Sequence, residues 1–317
     1  GSKIMGAIRG RDAIYVWTDT ALFTQRFVGA PFTFGFAQVG TNCGLVGQNA
    51  CVEVDGAAYW MSENGFFRYG GKLESLPCLV EDHVYDDINL ASGNQMVSAG
   101  LNNLFGEIIW FYPSSTSDVV NKMVAYNYFD SSIKRPVWTV GTLARTMWRD
   151  SAVFGKPHAL EYDASTDTSF DVVGNTEGRT AYYEHETGTD QNKNGTITAV
   201  LSNISSGDYD ITQRTLRGLG GVADFRGDGE HIMKIRRFVP DFISQTGTTR
   251  ITLQLKNYPN STQGSSPLGP FDITTSTTKV DTRARARAIS LKIENTAVDQ
   301  SWKLGTFRLD VQPDGRR

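Results

Sequence analysis

Apolar and polar positions alternate with a period of two through much of this chain. Ile251, Leu253 and Leu255 alternate with Arg250, Thr252, Gln254 and Lys256, and Phe307, Leu309 and Val311 alternate with Arg308, Asp310 and Gln312. Successive strand side chains point to opposite faces, so each run is a predicted strand with one dry and one wet face. Upstream, the strand-like run Ala13-Ile14-Tyr15-Val16-Trp17-Thr18 is followed, after Asp19-Thr20, by Ala21-Leu22-Phe23-Thr24. Ala57-Ala58-Tyr59-Trp60-Met61-Ser62 is followed, after Glu63-Asn64-Gly65, by Phe66-Phe67-Arg68-Tyr69 and a Gly70-Gly71 turn. These read as two copies of one hairpin unit, with Trp17 and Trp60 in equivalent positions 43 residues apart. A third copy places Trp110 in Glu107–Tyr112 with a returning strand at residues 123–128. A weaker fourth follows Trp148 at residues 159–163. Strand pairs repeating every ~40–50 residues are the signature of β-propeller blades, which stack because one blade cannot bury its own faces. A large irregular β-sandwich is the alternative architecture.

Only a few segments could sustain a helix, with the short stretch 79–88 the best candidate. Thr, Val and Tyr recur in short runs bounded by turn residues, so the expected class is all-β. The texture changes after Arg179, where polar loops at residues 188–195, 203–207 and 218–229 interrupt the pattern. The expected organisation is a propeller-like domain over residues 1–183 and a β-sandwich-like domain over residues 184–317. The chain opens Gly1-Ser2-Lys3-Ile4 and moves quickly into strand-like sequence, which reads either as a tag remnant or as the continuation of a longer polypeptide with further blades.

Composition narrows the function classes. Of 317 residues, 39% are hydrophobic and 21% charged, with 32 glycines, as in an ordered, turn-rich protein. The formal net charge of −3 gives no global electrostatic case for nucleic-acid binding, so any basic function must be local. No run approaches 18 apolar residues and no signal-peptide pattern opens the chain. Cys43, Cys51 and Cys78 fit no zinc spacing and read as buried free thiols of a protein folded in a reducing compartment, with a Cys43–Cys51 bridge the weaker option.

Candidate chemistry is sparse. Asp190-Gln191-Asn192-Lys193-Asn194-Gly195 matches the first half of a calcium loop, but the position for the bidentate carboxylate is Leu201, and a hairpin tip explains the same residues. His83, His158, His185 and His231 are scattered. Of these only His185 is flanked by carboxylates, Glu184 and Glu186, which on a strand point away from the imidazole; a solvated or interface histidine is expected. Glu81, Asp82, Asp86 and Asp87 form an acidic cluster, read as a solvated helix face or a partner patch. No nucleophile elbow, P-loop or dinucleotide fingerprint is present. The expectation is a protein that is not an enzyme and requires no cofactor or metal.

The arginines carry more information. Arg283, Arg285 and Arg287 share one strand face, yet continuing the same parity reaches Ile289, Leu291 and Ile293, which must be buried. Either a bulge near Ala288 flips the strand, or its first half overhangs an interface or channel. The arginines then guard a sheet edge, pair with an acidic patch such as Glu81–Asp87 of a neighbouring subunit, or contact DNA phosphates. Arg214, Arg217, Arg316 and Arg317 are possible additions.

Several motifs in this order resemble one family. They are the Pro240-Asp241-Phe242 segment, the arginine-alternating strand running into Ile289-Ser290-Leu291-Lys292-Ile293-Glu294, then Trp302-Lys303-Leu304-Gly305-Thr306. The closing Arg308-Leu309-Asp310-Val311-Gln312-Pro313-Asp314-Gly315-Arg316-Arg317 completes the series, with upstream echoes at Val16-Trp17-Thr18-Asp19, Val39-Gly40-Thr41-Asn42-Cys43-Gly44 and Tyr59-Trp60-Met61. The chain resembles the packaged-DNA stabilisation, or tail-nozzle, proteins of short-tailed bacteriophages. That resemblance implies a propeller fused to a sandwich-like platform and a homo-oligomeric ring of six copies below the portal and adaptor rings. It also implies a virion location after synthesis in the host cytoplasm. The ring would narrow the DNA channel, retain packaged DNA and anchor fibres or spikes. The alternative function is a glycan-recognising receptor-binding or depolymerase β-protein using exposed aromatics such as Tyr182, Tyr183 or Tyr258.

Overall fold

A computed structural model describes residues 1–132, 134–151, 155–163, 179–193, 195–211, 231–258 and 265–316. Strands account for 58% of the structure and helix for 4%, so the fold is all-β. The chain divides into two compact units, Gly1–Thr187 and Gly188–Arg317.

The first unit is a succession of antiparallel meanders. Strands β1 (Ile4–Arg9), β2 (Ile14–Thr18), β3 (Ala21–Gly29) and β4 (Thr33–Thr41) form one sheet in that order. Strands β5 (Cys51–Val54), β6 (Ala57–Ser62), β7 (Gly65–Tyr69) and β8 (Leu73–Leu76) form the next. After the one-turn helix α1 (Glu81–Tyr85) come β9 (Ser98–Asn102), β10 (Glu107–Tyr112), β11 (Lys122–Asn127) and β12 (Trp138–Gly141), then a three-stranded sheet of β13 (Met147–Arg149), β14 (His158–Asp163) and β15 (Arg179–Glu184). These are the strand-pair units that the tryptophan spacing predicted; they do not by themselves confirm a propeller. The helix is shorter than residues 79–88 suggested, because Val80 at its N-cap supplies no side-chain oxygen for the first amides.

Trp17, Trp60 and Trp110 each lie on the second strand of a consecutive meander and are fully buried in one shared cluster. A buried indole usually finds an acceptor for its N–H; Trp17 Nε1 has none among the described residues, whereas four other indoles bond to carbonyls of neighbouring segments. Trp60 Nε1 donates to the Cys43 carbonyl at 2.9 Å and Trp110 Nε1 to the Ala50 carbonyl at 3.0 Å. Trp138 Nε1 reaches the Pro77 carbonyl at 2.8 Å and Trp148 Nε1 the Leu101 carbonyl at 2.9 Å. The third and fourth sheets meet through a separate cluster of Ile109, Phe111, Val120 and Ala125, with Trp148 packed against it. Gly100 makes that meeting possible, since a Cβ there would lie 2.5 Å from the Trp148 ring.

The second unit begins with the hairpin β16 (Asp190–Lys193) and β17 (Thr196–Ala199). It continues through β18 (Asn203–Ser205), β19 (His231–Val239), β20 (Phe242–Thr246), β21 (Thr249–Lys256) and β22 (Ser265–Ile273). The last elements are β23 (Val280–Ala286), β24 (Ala288–Glu294), β25 (Ser301–Leu304) and β26 (Arg308–Arg316). Two sheets, ordered β18-β24-β21-β22 and β23-β19-β26, share apolar clusters: Phe238 of β19 packs with Ile251 and Leu253 of β21 and Ile293 of β24.

Candidate carboxylate site

Glu107 opens β10, where its backbone pairs with Asn102 of β9 and Asn127 of β11. Strand parity puts its side chain on the same face as Ile109 and Phe111, the face that packs against the fourth sheet. A carboxylate therefore sits at the end of an apolar interface. Burial pushes its pKa above the ordinary carboxylate range, and the nearby charge of Glu186 pushes it further the same way. Glu186 follows β15, is exposed, and holds a left-handed backbone at φ 60°. Asn102, only 1% exposed, donates from Nδ2 to Glu186 Oε1 at 3.1 Å, while its own Oδ1 has no hydrogen-bond partner.

A second polar group forms at Asn103, next in sequence to Asn102. Asn103 donates to Asp150 through its amide N–H at 3.2 Å and its Nδ2 at 2.6 Å, and the Tyr128 hydroxyl donates to Asn103 Oδ1 at 2.9 Å. Tyr128 is tied to the β9–β10 turn by its N–H to the Gly106 carbonyl at 2.8 Å.

One residue before Glu186, His185 belongs to a buried network. Arg145, 3% exposed, pairs with Glu161 at 3.0 Å, donates from Nε to His185 Nε2 at 2.9 Å, and lies 4.0 Å from the Tyr183 ring centroid. Because Nε2 accepts that hydrogen bond, the imidazole is neutral. Desolvation first, then the charges of Arg145 and His158, hold its pKa down at about 4. The expectation of a solvated or interface histidine is corrected: His185 packs against Trp148, ring centroids 4.7 Å apart, because β15 turns it toward the fourth sheet's inner face. Tyr183 is likewise 8% exposed and lies under Arg145, whereas Tyr182 and Tyr258 are open to solvent.

The residues singled out in the sequence do not converge here. Arg283 and Arg285 are exposed on β23, where Ala284 and Ala286 face inward; after Arg287 the chain enters β24 in the other sheet, and Ile289, Leu291 and Ile293 face inward instead. The parity conflict is resolved by changing sheets at Arg287, one residue before the position anticipated for a bulge. Arg285 pairs with Asp314 at 2.5 Å. Arg316 lies on β26, its backbone paired with His231. Arg214, Arg217 and Arg317 lie outside the described residues. Glu81 and Asp82 are on α1 and Asp86 caps its C-terminus, while Asp87 stands 3.9 Å from Lys122. Asp190 accepts the Asp299 N–H on one oxygen at 2.7 Å, its other oxygen being buried without a hydrogen-bond partner among the described residues, and Asn192 accepts from the Gly195 N–H at 2.9 Å. The three thiols are free; burial pushes Cys51 up to about 12 and Cys78 up to about 11. No helix among the described residues is long and apolar enough to cross a membrane.

Glu107 and Glu186 escaped the sequence reading. The available signal was parity: a Glu in phase with Ile109 and Phe111 is a carboxylate on a buried face. Its proximity to Glu186, 79 positions away in sequence, has no local signal at all.

No family model matches the chain, and no curated protein matches it. Among solved structures, it is similar to the exo-β-1,3-galactanase of Phanerochaete chrysosporium with galactose, at 9% identity and a TM-score of 0.30, covering 94% of this chain and 78% of that one. A second structure, titled glycoside hydrolase, matches at 8% identity and a TM-score of 0.26, covering 96% and 83%. These neighbours, a galactanase and a structure titled glycoside hydrolase, stand against the expectations of a phage tail-nozzle subunit and of a chain that is not an enzyme, while likenesses at these TM-scores carry no argument about what this chain itself does. TM-scores this low carry no argument about which residues act.

Proposed function

We propose that the first unit acts on carbohydrate, with Glu107 and Glu186 as its reactive pair. The observation that supports this reading is the difference between two neighbouring carboxyls: one half-buried with a raised pKa, the other exposed and held by the Asn102 amide. A carboxyl raised by burial suits a proton donor, and a solvent-exposed carboxylate beside it suits the partner role. Glu107, protonated, would donate its proton to the glycosidic oxygen as the bond to the departing sugar breaks. Glu186 would accept a proton from the attacking water or stabilise the positive charge developing on the ring. Asn103, Asp150 and Tyr128 supply donors and acceptors of the kind that sugar hydroxyls use. The galactanase named above acts on a galactan; that likeness is too distant to guide the choice of substrate, and the reading rests on the side chains.

The test is release of reducing sugar from a panel of β-linked glycans, β-1,3-galactan included. The wild-type chain should release sugar, Glu107→Gln should lose at least about a hundredfold of that rate, and activity should fall as pH rises through the raised pKa of Glu107. A wild-type chain inert on the whole panel, or an unimpaired Glu107→Gln, overturns the proposal.

A further inference from the structure

Three turns and one strand converge at the end of the first two sheets. The β1–β2 turn carries Arg11 and Asp12, β3 brings Arg26, the β5–β6 turn is Asp55-Gly56, and the β7–β8 turn is Gly70-Gly71. With Tyr15, Arg68 and Tyr69 they enclose a cleft of about 330 Å³. The cleft is a built feature. Arg11 Nη2 donates to the Asp55 carbonyl at 3.1 Å and the Tyr15 hydroxyl to the Gly56 carbonyl at 3.1 Å, so the two turns are tied together. Gly56, at φ 86°, lies directly beneath Arg11: a Cβ there would be 3.0 Å from both Arg11 Cβ and Nε. Arg68 is oriented by the Tyr59 hydroxyl at 3.0 Å and by Glu74 at 2.9 Å.

Charge is not balanced pair by pair. Arg11 and Arg26 enter no ion pair among the described residues, although Asp12 and Asp55 line the same cleft. Arg11 spends one donor on a carbonyl, which leaves its charge uncompensated. The cleft therefore presents guanidinium forks and carboxylate acceptors side by side.

We propose that this cleft binds a carboxylated sugar residue, of the uronic-acid class. A bare anion would suit Arg11 and Arg26 but meet repulsion from Asp12 and Asp55. A neutral sugar would donate to the two aspartates and accept from the arginines through its hydroxyls, but would bring no counter-charge to the guanidinium groups. A ring bearing both a carboxylate and hydroxyls satisfies both sets: the carboxylate accepts from the arginine forks, and the hydroxyls donate to the aspartates. The inference rests on the carbohydrate reading for its ligand class, and not on the roles of Glu107 and Glu186.

Calorimetric titration of the full chain tests it with three probes: a galacturonate trisaccharide, a neutral galactose trisaccharide and inorganic phosphate. The acidic trisaccharide should bind, and its affinity should fall as salt rises, because the pairs are partly exposed. Arg26→Ala removes an exposed side chain without a structural partner, so it should fold normally and weaken binding about tenfold. Glu107→Gln and Glu186→Gln should leave this binding unchanged. Equal binding of the neutral trisaccharide, phosphate binding as tight as the acidic sugar, or an Arg26→Ala variant that binds like wild type each overturn the proposal. Arginine-dependent binding in a chain that hydrolyses no glycan would overturn only the catalytic reading; hydrolysis without such binding would overturn only this one.

Discussion

Arg145 and Arg285 each face a single carboxylate at hydrogen-bonding distance, Glu161 at 3.0 Å and Asp314 at 2.5 Å, yet they do different work. The Arg145 and Glu161 side chains are 4% and 14% exposed, those of Arg285 and Asp314 60% and 37%. In the buried pair neither charge has water to fall back on, so Arg145 must also satisfy His185 and stack on Tyr183, and it holds the imidazole neutral. In the exposed pair, water screens the attraction and competes for both partners. The contrast teaches that an arginine's consequence is set by what surrounds it.

The largest break in that comparison is Arg145→Ala. It removes a guanidinium that serves Glu161, His185 and Tyr183 together in a buried network and should cost about 3–5 kcal/mol, read as a fall in denaturation midpoint. A variant within about 1 kcal/mol of wild type would show that water replaces the guanidinium and that the network is not buried in effect.

A smaller effect comes from pH. The folded-state pKa of His185, about 4, lies below the value near 6.5 expected of the unfolded chain, so acid protonates the unfolded state first. Stability from this group should be complete above pH ~6.5 and lost as pH falls toward 4. Glu107 runs the other way: its folded pKa is raised, so its contribution is present at acid pH and lost as pH rises through that value. His185→Gln should flatten the acid limb of a Tm–pH profile, and Glu107→Gln should raise Tm at neutral pH; unchanged profiles in both would remove the electrostatic account of the site.

The smallest expected change is Arg285→Ala, at about 0–1 kcal/mol, with its effect vanishing in high salt. Arg283→Ala, at a position exposed on the same face, should stay within about 0.5 kcal/mol. A loss near that of Arg145→Ala at either site would mean that β23 is covered by a partner in solution.

Much of the fold was legible along the chain. The alternation at residues 250–256 and 307–312 gave real strands, and Trp17, Trp60 and Trp110 mark the second strands of successive meanders, because a buried aromatic on a two-residue period is a local property of sequence. The inward-facing set Ile289, Leu291 and Ile293 was equally readable, as was the need for a change of environment just before it.

What the sequence by itself determined is therefore the strand class, the repeat of hairpins and the faces that must be dry. The tertiary structure alone decided which sheet each strand joins, and so that the chain crosses from β23 to β24 at Arg287 with no bulge needed. It alone brought Glu186 to Asn102 and Glu107, and Arg26 to the turn of Asp55. Backbone alternation is encoded between neighbours, whereas the desolvation and paired charges that give a carboxyl or an imidazole its chemistry come from residues dozens of positions away.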